Sequence, residues 1–334
     1  MALDVKVIIE MTKTYGSLGF GYPLILIENA TEAKAYTEFS TIGDVSVGGY
    51  TTDSDAYKVA QLMFMQPDEP TKIAICATSG TATDWLADAD NMSKEWRQLV
   101  VIGGSGTAST VVNIANAIEA ASVEKMYFAN VDMPADISKA TAIEGIDQYD
   151  RTVLFYYTPT EDIVCPVAAL AGEIGGLLPG SYTVNNLVLT GLVPLELSQS
   201  NIDAIHNLGG ITFVLAAGDG VCSEGKVASG EYIDIVDGND YIKQQLEYRT
   251  QKVFNSNLKV PYTNAGIAML ETAAIGVMQD AQNKGIVENF TVTYALREQV
   301  SEEDRRQRKY FGGNISYEMQ GAIHYIEIYC QASV

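Results

Sequence analysis

The sequence predicts an α/β fold: a mostly parallel β-sheet flanked by helices, with an appended α+β C-terminal domain and a strand arm at each end. Short, continuous apolar strands alternate with helices from about residue 72 to residue 216, which is typical of a parallel sheet covered on both faces. Near residue 218 glycine-rich turns and two longer helices follow. We therefore divide the chain into an N-terminal arm (1–14), an α/β domain (15–218), an α+β domain (219–320) and a C-terminal arm (321–334).

The α/β domain is predicted from apolar runs and helix caps. Strands are predicted at Tyr22–Glu28, Lys72–Thr78, Leu99–Ile102, Met126–Val131, Thr152–Tyr157 and Ile211–Ala216. Helices are predicted from capping residues, apolar spacing and small residues: after Ser54, from Thr83, after Ser109, over Ala135–Ile146 and Asp162–Gly175, and from Ser198 to Gly209.

The α+β domain is predicted from two longer helical patterns and the segments that follow them. The first helix covers Asp240–Phe254, and the second begins at Thr263 or Asn264 and ends at Gly285. A strand follows at Phe290–Leu296, and then a charged segment at Ser301–Lys309.

Both ends of the chain carry strand patterns. Near the C-terminus Ile326, Ile328 and Cys330 alternate with Tyr325, Glu327 and Tyr329, and Ile323 precedes them. The N-terminal pattern carries Val5, Val7 and Ile9. Such strands either complete a sheet in their own chain or are donated to a neighbouring molecule.

Composition argues against several function classes. The chain has 21 Lys and Arg against 42 Asp and Glu, a formal charge of −21, which disfavours binding to nucleic acid or anionic membranes. Two histidines and four widely spaced cysteines offer little material for a catalytic triad or a zinc site, so we expect buried thiols, no metal and no cofactor. We expect no secretory signal and no membrane insertion, because no apolar run is long enough to span a bilayer.

A glycine-rich segment, Val100–Ser109, lies between a predicted strand and a predicted helix, where a dinucleotide fingerprint would lie. Gly104 and Gly106 supply two of the three glycines, but Ser109 occupies the third position, which weakens the match. We interpret Gly103–Gly106 as a β–α turn with Ser109 as N-cap. The alternative is a phosphate- or nucleotide-binding enzyme that uses this turn.

A dense basic cluster lies in the charged segment: Arg305, Arg306, Arg308 and Lys309. One interpretation is a solvated helix in which Glu302 pairs with Arg306 and Asp304 with Arg308. The other is a patch that makes an electrostatic contact with an acidic partner, which would be uncommon in so acidic a chain.

Short motifs follow one another in a fixed order in the second half of the chain: Pro179–Thr183, Gly191–Pro194, Gly230–Asp234 followed by Asp240–Tyr241, Lys259–Ile267 and Gly321–Ile328. In these motifs and their spacing the chain resembles the contractile phage tail sheath family. The resemblance covers about residues 179–328 and is looser over 70–178.

The resemblance implies a sheath domain that is subtilisin-like in topology only, followed by the sheath C-terminal domain. It also implies a structural, non-enzymatic virion subunit that assembles in the host cytoplasm as a helical homopolymer, in rings of six, around a tail tube. Its other partners would be baseplate and tail terminator proteins, and contraction would drive the tube through the host envelope. Both terminal strands would pair with neighbouring subunits. A tube- or capsid-associated structural protein is a further alternative.

Overall fold

The structure is a computed structural model that describes residues 20–104, 107–121 and 123–331. The chain divides into two compact units, Met1–Tyr241 and Ile242–Val334, called unit 1 and unit 2 below. The predicted N-terminal strand with Val5, Val7 and Ile9 lies outside the described residues, and so do Ser105 and Gly106 of the glycine-rich turn.

Unit 1 is built on a seven-stranded sheet. In chain order its strands are β1 (Tyr22–Ile27), β2 (Lys34–Phe39), β3 (Ile73–Ala77), β4 (Trp96–Ile102), β5 (Met126–Val131), β6 (Thr152–Tyr156) and β7 (Gly210–Ile211). Their order in space is β2-β3-β1-β4-β5-β6-β7. Every pairing is parallel except that of the edge strand β2 with β3. A small antiparallel hairpin follows, formed by β8 (Phe213–Ala216) and β9 (Asp219–Cys222). This arrangement confirms the predicted α/β class.

Helices connect these strands, and capping residues set where several of them begin. The helices are α1 (Ile42–Val47), α2 (Asp55–Phe64), α3 (Ala82–Leu86), α4 (Ala89–Met92), α5 (Ala108–Ala120), α6 (Val167–Gly176), α7 (Gln199–Asn207) and α8 (Ile233–Ser256). As predicted, Ser54 and Ser198 are N-caps, because each hydroxyl accepts a hydrogen bond from a backbone N–H of the first turn.

The sheet separates two buried apolar clusters. Ile25 of the central strand β1 belongs to one cluster, whereas Leu24 and Leu26 belong to the other. Every residue of β3 and β6 is buried. Because both faces of the sheet are covered, its inner strands are continuous apolar runs without alternation.

Unit 2 contains the part of α8 from Ile242 onward and the helix α9 (Asn264–Asn283). An antiparallel strand pair, β10 (Val287–Tyr294) and β11 (Gly313–Met319), follows, with the short helix α10 (Glu302–Arg306) in the connection. Thr263 caps α9 by accepting a hydrogen bond from the Gly266 N–H at 3.3 Å. A Cβ at Gly266 would lie 1.9 Å from the Pro261 carbonyl oxygen, so only glycine fits this first turn.

Several predicted elements differ from the structure. Residues 135–146, predicted to be helical, form only a 3-10 turn at Ile137–Lys139. Ile143 is partly buried and Ile146 is buried in the core cluster, so their spacing reflects an irregular segment that packs without a helix. The predicted strand Ile211–Ala216 is broken at Thr212 into β7 and β8.

Three helix starts also differ. α5 begins at Ala108 with Thr107, and not Ser109, at its N-cap position. α6 begins after Pro166 although the prediction extends back to Asp162, and α8 begins at Ile233 instead of Asp240. The first two turns of α8 contain Asp234, Asp237 and Asp240, so the apolar spacing used for the prediction does not detect them.

Candidate assembly surfaces

The C-terminal arm is the most exposed apolar segment of the described chain. Residues 320–331 form neither helix nor strand. The large side chains of the arm are 73–89% exposed: Ile323, Tyr325, Ile326, Ile328 and Tyr329. Burying one side chain of this size contributes about 1.5–3 kcal/mol. Burying these side chains against another molecule would therefore release free energy that folding of this chain alone does not. The strand conformation of the arm stays a prediction.

The two-stranded sheet of unit 2 offers a place for added strands. β10 and β11 pair only with each other among the described residues, so each has an open outer edge. One face is covered by α9, with Val277, Ala281 and Val287 buried. An open strand edge presents unpaired backbone donors and acceptors that a further strand can bind. A two-stranded sheet is also marginally stable by itself, which favours such an addition.

The basic cluster lies in the connection between β10 and β11. Ser301 caps α10 by accepting a hydrogen bond from the Asp304 N–H at 3.1 Å. Arg305 Nη1 donates to the Arg297 carbonyl at 2.9 Å, while the side chains of Arg306, Arg308 and Lys309 are exposed. Within the described chain neither Glu302–Arg306 nor Asp304–Arg308 forms an ion pair, so the predicted pairing along a solvated helix is wrong.

Exposed apolar side chains lie close to this cluster in the same connection. The Ala295 N–H donates to the Gly312 carbonyl at 2.9 Å, which brings the adjacent residues Leu296 and Phe311 near one another. They are 52% and 74% exposed. Tyr310 fixes this part of the connection by donating to the Ala295 carbonyl at 2.8 Å. Phe311 was not predicted from the sequence, where its only signal is a bulky aromatic residue beside two glycines.

A buried network of charges holds the start of α8 inside unit 1. Arg97 of β4 pairs with Asp237 and Asp240 of α8, with 2.7 Å between Arg97 Nη1 and Asp240 Oδ2. Arg151 binds Asp240 through two hydrogen bonds of 2.7 and 2.9 Å, and the Tyr182 hydroxyl donates to Asp237 at 2.5 Å. These residues bring β4, the start of β6 and α8 together.

The network shifts pKa values in opposite directions. Burial by itself would lower the pKa of Arg97 and raise that of Asp240, but the charges of Asp237 and Asp240 beside Arg97, and of Arg97 and Arg151 beside Asp240, reverse both effects. The pKa of Arg97 is therefore raised and that of Asp240 is lowered. Arg97 and Asp240 are therefore both charged at neutral pH and held by partners within the protein, which suits them to a structural role and not to acid–base chemistry.

The glycine-rich turn is occupied by a side chain of the protein itself. Gly103 has φ +86°, and a Cβ there would lie 2.6 Å from the Glu28 carbonyl oxygen. A Cβ at Gly104 would lie 1.6 Å from Glu28 Oε1, while Glu28 Oε2 accepts a hydrogen bond from the Ala82 N–H at 2.7 Å. Gly103 thus makes room for the Glu28 backbone carbonyl, and Gly104 makes room for the buried Glu28 carboxylate. A carboxylate in this position repels a phosphate, which argues against the nucleotide-binding alternative.

The histidine, cysteine and potential metal-ligand side chains of the described residues do not come together in one site. His206 lies in the last turn of α7, with its Nε2 3.0 Å from Ser223 Oγ, and burial lowers its pKa, which disfavours the cation. Among the four cysteines Cys330 is exposed, contrary to the expectation of buried thiols, and the other three are buried. No group of three or more potential metal ligands occurs among the described residues, and none of their helices is long and apolar enough to cross a membrane.

Comparisons with known proteins identify the fold by structure and not by sequence. No protein-family model matches the sequence, and a sequence comparison with curated proteins finds no match either. The contracted helical sheath of the anti-feeding prophage matches with a TM-score of 0.72 at 12% identity, covering 99% of each chain. The contracted sheath of the extracellular contractile injection system PVC matches with a TM-score of 0.71 at 9% identity, covering 100% of this chain and 99% of that one.

A crystal structure shares the fold as well. The sheath tail protein from Desulfitobacterium hafniense matches with a TM-score of 0.59 at 10% identity, covering 92% of this chain and 98% of that chain. All three chains are matched over nearly their whole length. The chain therefore has the fold of contractile sheath proteins, as the sequence motifs predicted.

Proposed function

We propose that this protein is the structural subunit of a contractile tail sheath. The observation that carries the proposal is the match over 99% of the chain to a sheath subunit within a contracted helical polymer. The subunit polymerises helically around a tail tube, in rings of six, and contracts to drive the tube through a host envelope. It assembles in the host cytoplasm, becomes part of the tail, binds baseplate and tail terminator proteins at its ends, and catalyses no reaction.

The terminal arms link the subunits of this polymer. The C-terminal arm leaves five large apolar side chains exposed, and the sheet of β10 and β11 has two open edges, which supports strand donation from one copy to the next. The N-terminal strand with Val5, Val7 and Ile9 is the second donated strand. Such links persist when subunits rotate during contraction, because the backbone hydrogen bonds move with the donated strand.

The basic cluster makes an electrostatic contact with the tail tube or with a neighbouring sheath subunit. The exposure of Arg306, Arg308 and Lys309, and the absence of an ion pair to any of them within the described chain, support this role. Each exposed pair contributes only about 0.2–1 kcal/mol, but the contact recurs in every subunit.

Electron microscopy of the purified protein tests the proposal directly. Negative staining should show long hollow cylinders, and discrete particles under all assembly conditions would contradict a sheath. The electrostatic contact is tested by Arg306→Glu, Arg308→Glu and Lys309→Glu together. A matched control reverses three other exposed charges of unit 2, with Lys252→Glu, Lys259→Glu and Lys284→Glu. Only the basic-cluster variant should impair assembly or tube binding. If the control impairs them equally, the proposed electrostatic contact is wrong.

A further inference from the structure

The net charge of the chain resides entirely in unit 1. Met1–Tyr241 holds 32 of the 42 acidic and 11 of the 21 basic residues, which leaves −21. Ile242–Val334 holds ten acidic and ten basic residues and is neutral. The two units therefore face solvent and other molecules with very different electrostatic potentials.

The difference in charge between the two units is also seen when only exposed side chains are counted. Among the described residues of unit 1, 22 acidic side chains are exposed, whereas Lys139 is the only exposed basic side chain. Two basic side chains of this unit, Arg97 and Lys125, are fully buried and cannot offset the surface charge. In the described part of unit 2, six acidic and seven basic side chains are exposed.

We propose that repulsion between the acidic surfaces of unit 1 opposes close packing of the copies in the polymer, whereas the neutral unit 2 adds no such repulsion. Ionic strength then sets how closely the copies pack. This inference rests on the proposed function, because it concerns contacts within a homopolymer. It gives unit 1 the role of an electrostatic spacer.

Screening determines the expected salt dependence. Repulsion between exposed charges extends about 10 Å at 0.1 M salt and about 3 Å at 1 M salt. Backbone hydrogen bonds and apolar contacts of donated strands act at short range and do not weaken in this way. Added salt should therefore promote packing, whereas a polymer held mainly by exposed ion pairs would dissociate as salt is added.

A pair of variants of the full-length protein tests the assignment by placing the same charge change in either unit. In unit 1 the exposed acidic residues become amides: Asp53→Asn, Asp132→Asn, Glu144→Gln and Asp147→Asn. In unit 2 the matched changes are Glu288→Gln, Glu298→Gln, Glu302→Gln and Glu303→Gln. Sedimentation and negative staining then measure assembly from about 0.02 M to about 1 M salt, the range over which screening changes most.

We expect the unit 1 variant to reach half-assembly at a salt concentration lower than wild type by about twofold or more, because fewer charges need screening. The unit 2 variant should show no such decrease. Equal decreases in the two variants, or cylinders that disappear as salt is added, would overturn the inference while leaving the sheath proposal intact. Absence of cylinders at every salt concentration would instead overturn the proposed function, and this inference with it.

Discussion

Glu173 of α6 is a buried carboxylate, and no cationic side chain contributes to the shift of its pKa. Its Oε2 accepts a hydrogen bond from the Asp68 N–H at 3.1 Å. Burial raises the pKa of Glu173, and this single hydrogen bond offsets only part of the effect. The folded protein therefore holds the proton more tightly than the unfolded chain. The contribution of Glu173 to stability is present at low pH and is lost as the pH rises from the ordinary value of 4.5 through the raised pKa.

Glu173→Gln should raise the free energy of unfolding at neutral pH, because a neutral amide can accept the same hydrogen bond without a buried charge. The gain should shrink toward zero as the pH falls below 4.5. Urea unfolding at several pH values measures this difference. Glu69→Gln, an exposed control from the Asp68 loop, should leave stability unchanged at every pH, and a destabilised Glu173→Gln protein at pH 7 would refute the argument.

Asp240 is the opposite case, a buried carboxylate between two arginines. Its lowered pKa means that its contribution is present above the ordinary value of 3.8 and is lost as the pH falls through the lowered pKa. Asp240→Asn leaves Arg97 and Arg151 without this charge, so we expect a loss of about 3–5 kcal/mol at neutral pH, the range for breaking a buried pair. The loss should be smaller in acid. Asp136→Asn, which removes an exposed pair with Lys139, should have no measurable effect in the same unfolding assay.

At the scale of elements, buried strands and capped helices were the most predictable parts of the fold. β3 and β6 are apolar at every position, and the hydroxyls of Ser54 and Thr263 cap helices as their sequence context indicates. The edge strands β2 and β11 were not predicted: half or more of their side chains are exposed, and only β11 alternates apolar with polar residues, at Ile315, Tyr317 and Met319. For such strands, pairing with a neighbour and not side-chain burial determines the conformation.

Site residues that lie in a local sequence pattern could be predicted, whereas those that depend on contacts between distant segments could not. The C-terminal arm was identified because alternating apolar residues stand out in the sequence. The contacts of Glu28 with Gly103 and Gly104 could not be anticipated, since they join segments that are far apart in the chain. The glycine pattern alone fits a phosphate and a carboxylate equally well, and the fold places the Glu28 carboxylate against Gly104.

The exposed C-terminal arm leads to a prediction about one element. Deleting Gly321–Val334 should leave a folded monomer that does not polymerise, because the described arm contributes no helix, strand or buried large side chain to its own chain. Circular dichroism and thermal unfolding measure folding, and sedimentation measures assembly. Ile326→Lys with Ile328→Lys is the full-length counterpart and should give the same result. An unfolded truncated protein would show that the strand belongs to its own core.

At the scale of the whole molecule, the exposed thiol of Cys330 can be used to follow assembly. Cys330 lies in the C-terminal arm and is exposed, whereas Cys76, Cys165 and Cys222 are buried within unit 1. Burial also raises the pKa of Cys165 to about 12, which keeps that thiol protonated and unreactive at neutral pH. A thiol reagent should therefore modify one cysteine per free subunit, and Cys330→Ser should remove this reaction.

In the polymer the arm binds a neighbouring copy, so Cys330 should lose access to the reagent. We expect its rate of modification to fall by about tenfold or more on assembly, because reaction then requires the donated strand to open locally. Stopped-flow measurements on monomer and polymer at one pH compare the two rates. The truncation variant cannot serve as a control because it lacks the thiol, but the basic-cluster variant retains the thiol and the arm. If that variant stays monomeric, its Cys330 should react as fast as in the free wild-type subunit. Equal rates in monomer and cylinder would mean that the arm remains free in the polymer, and that subunits are joined by other surfaces.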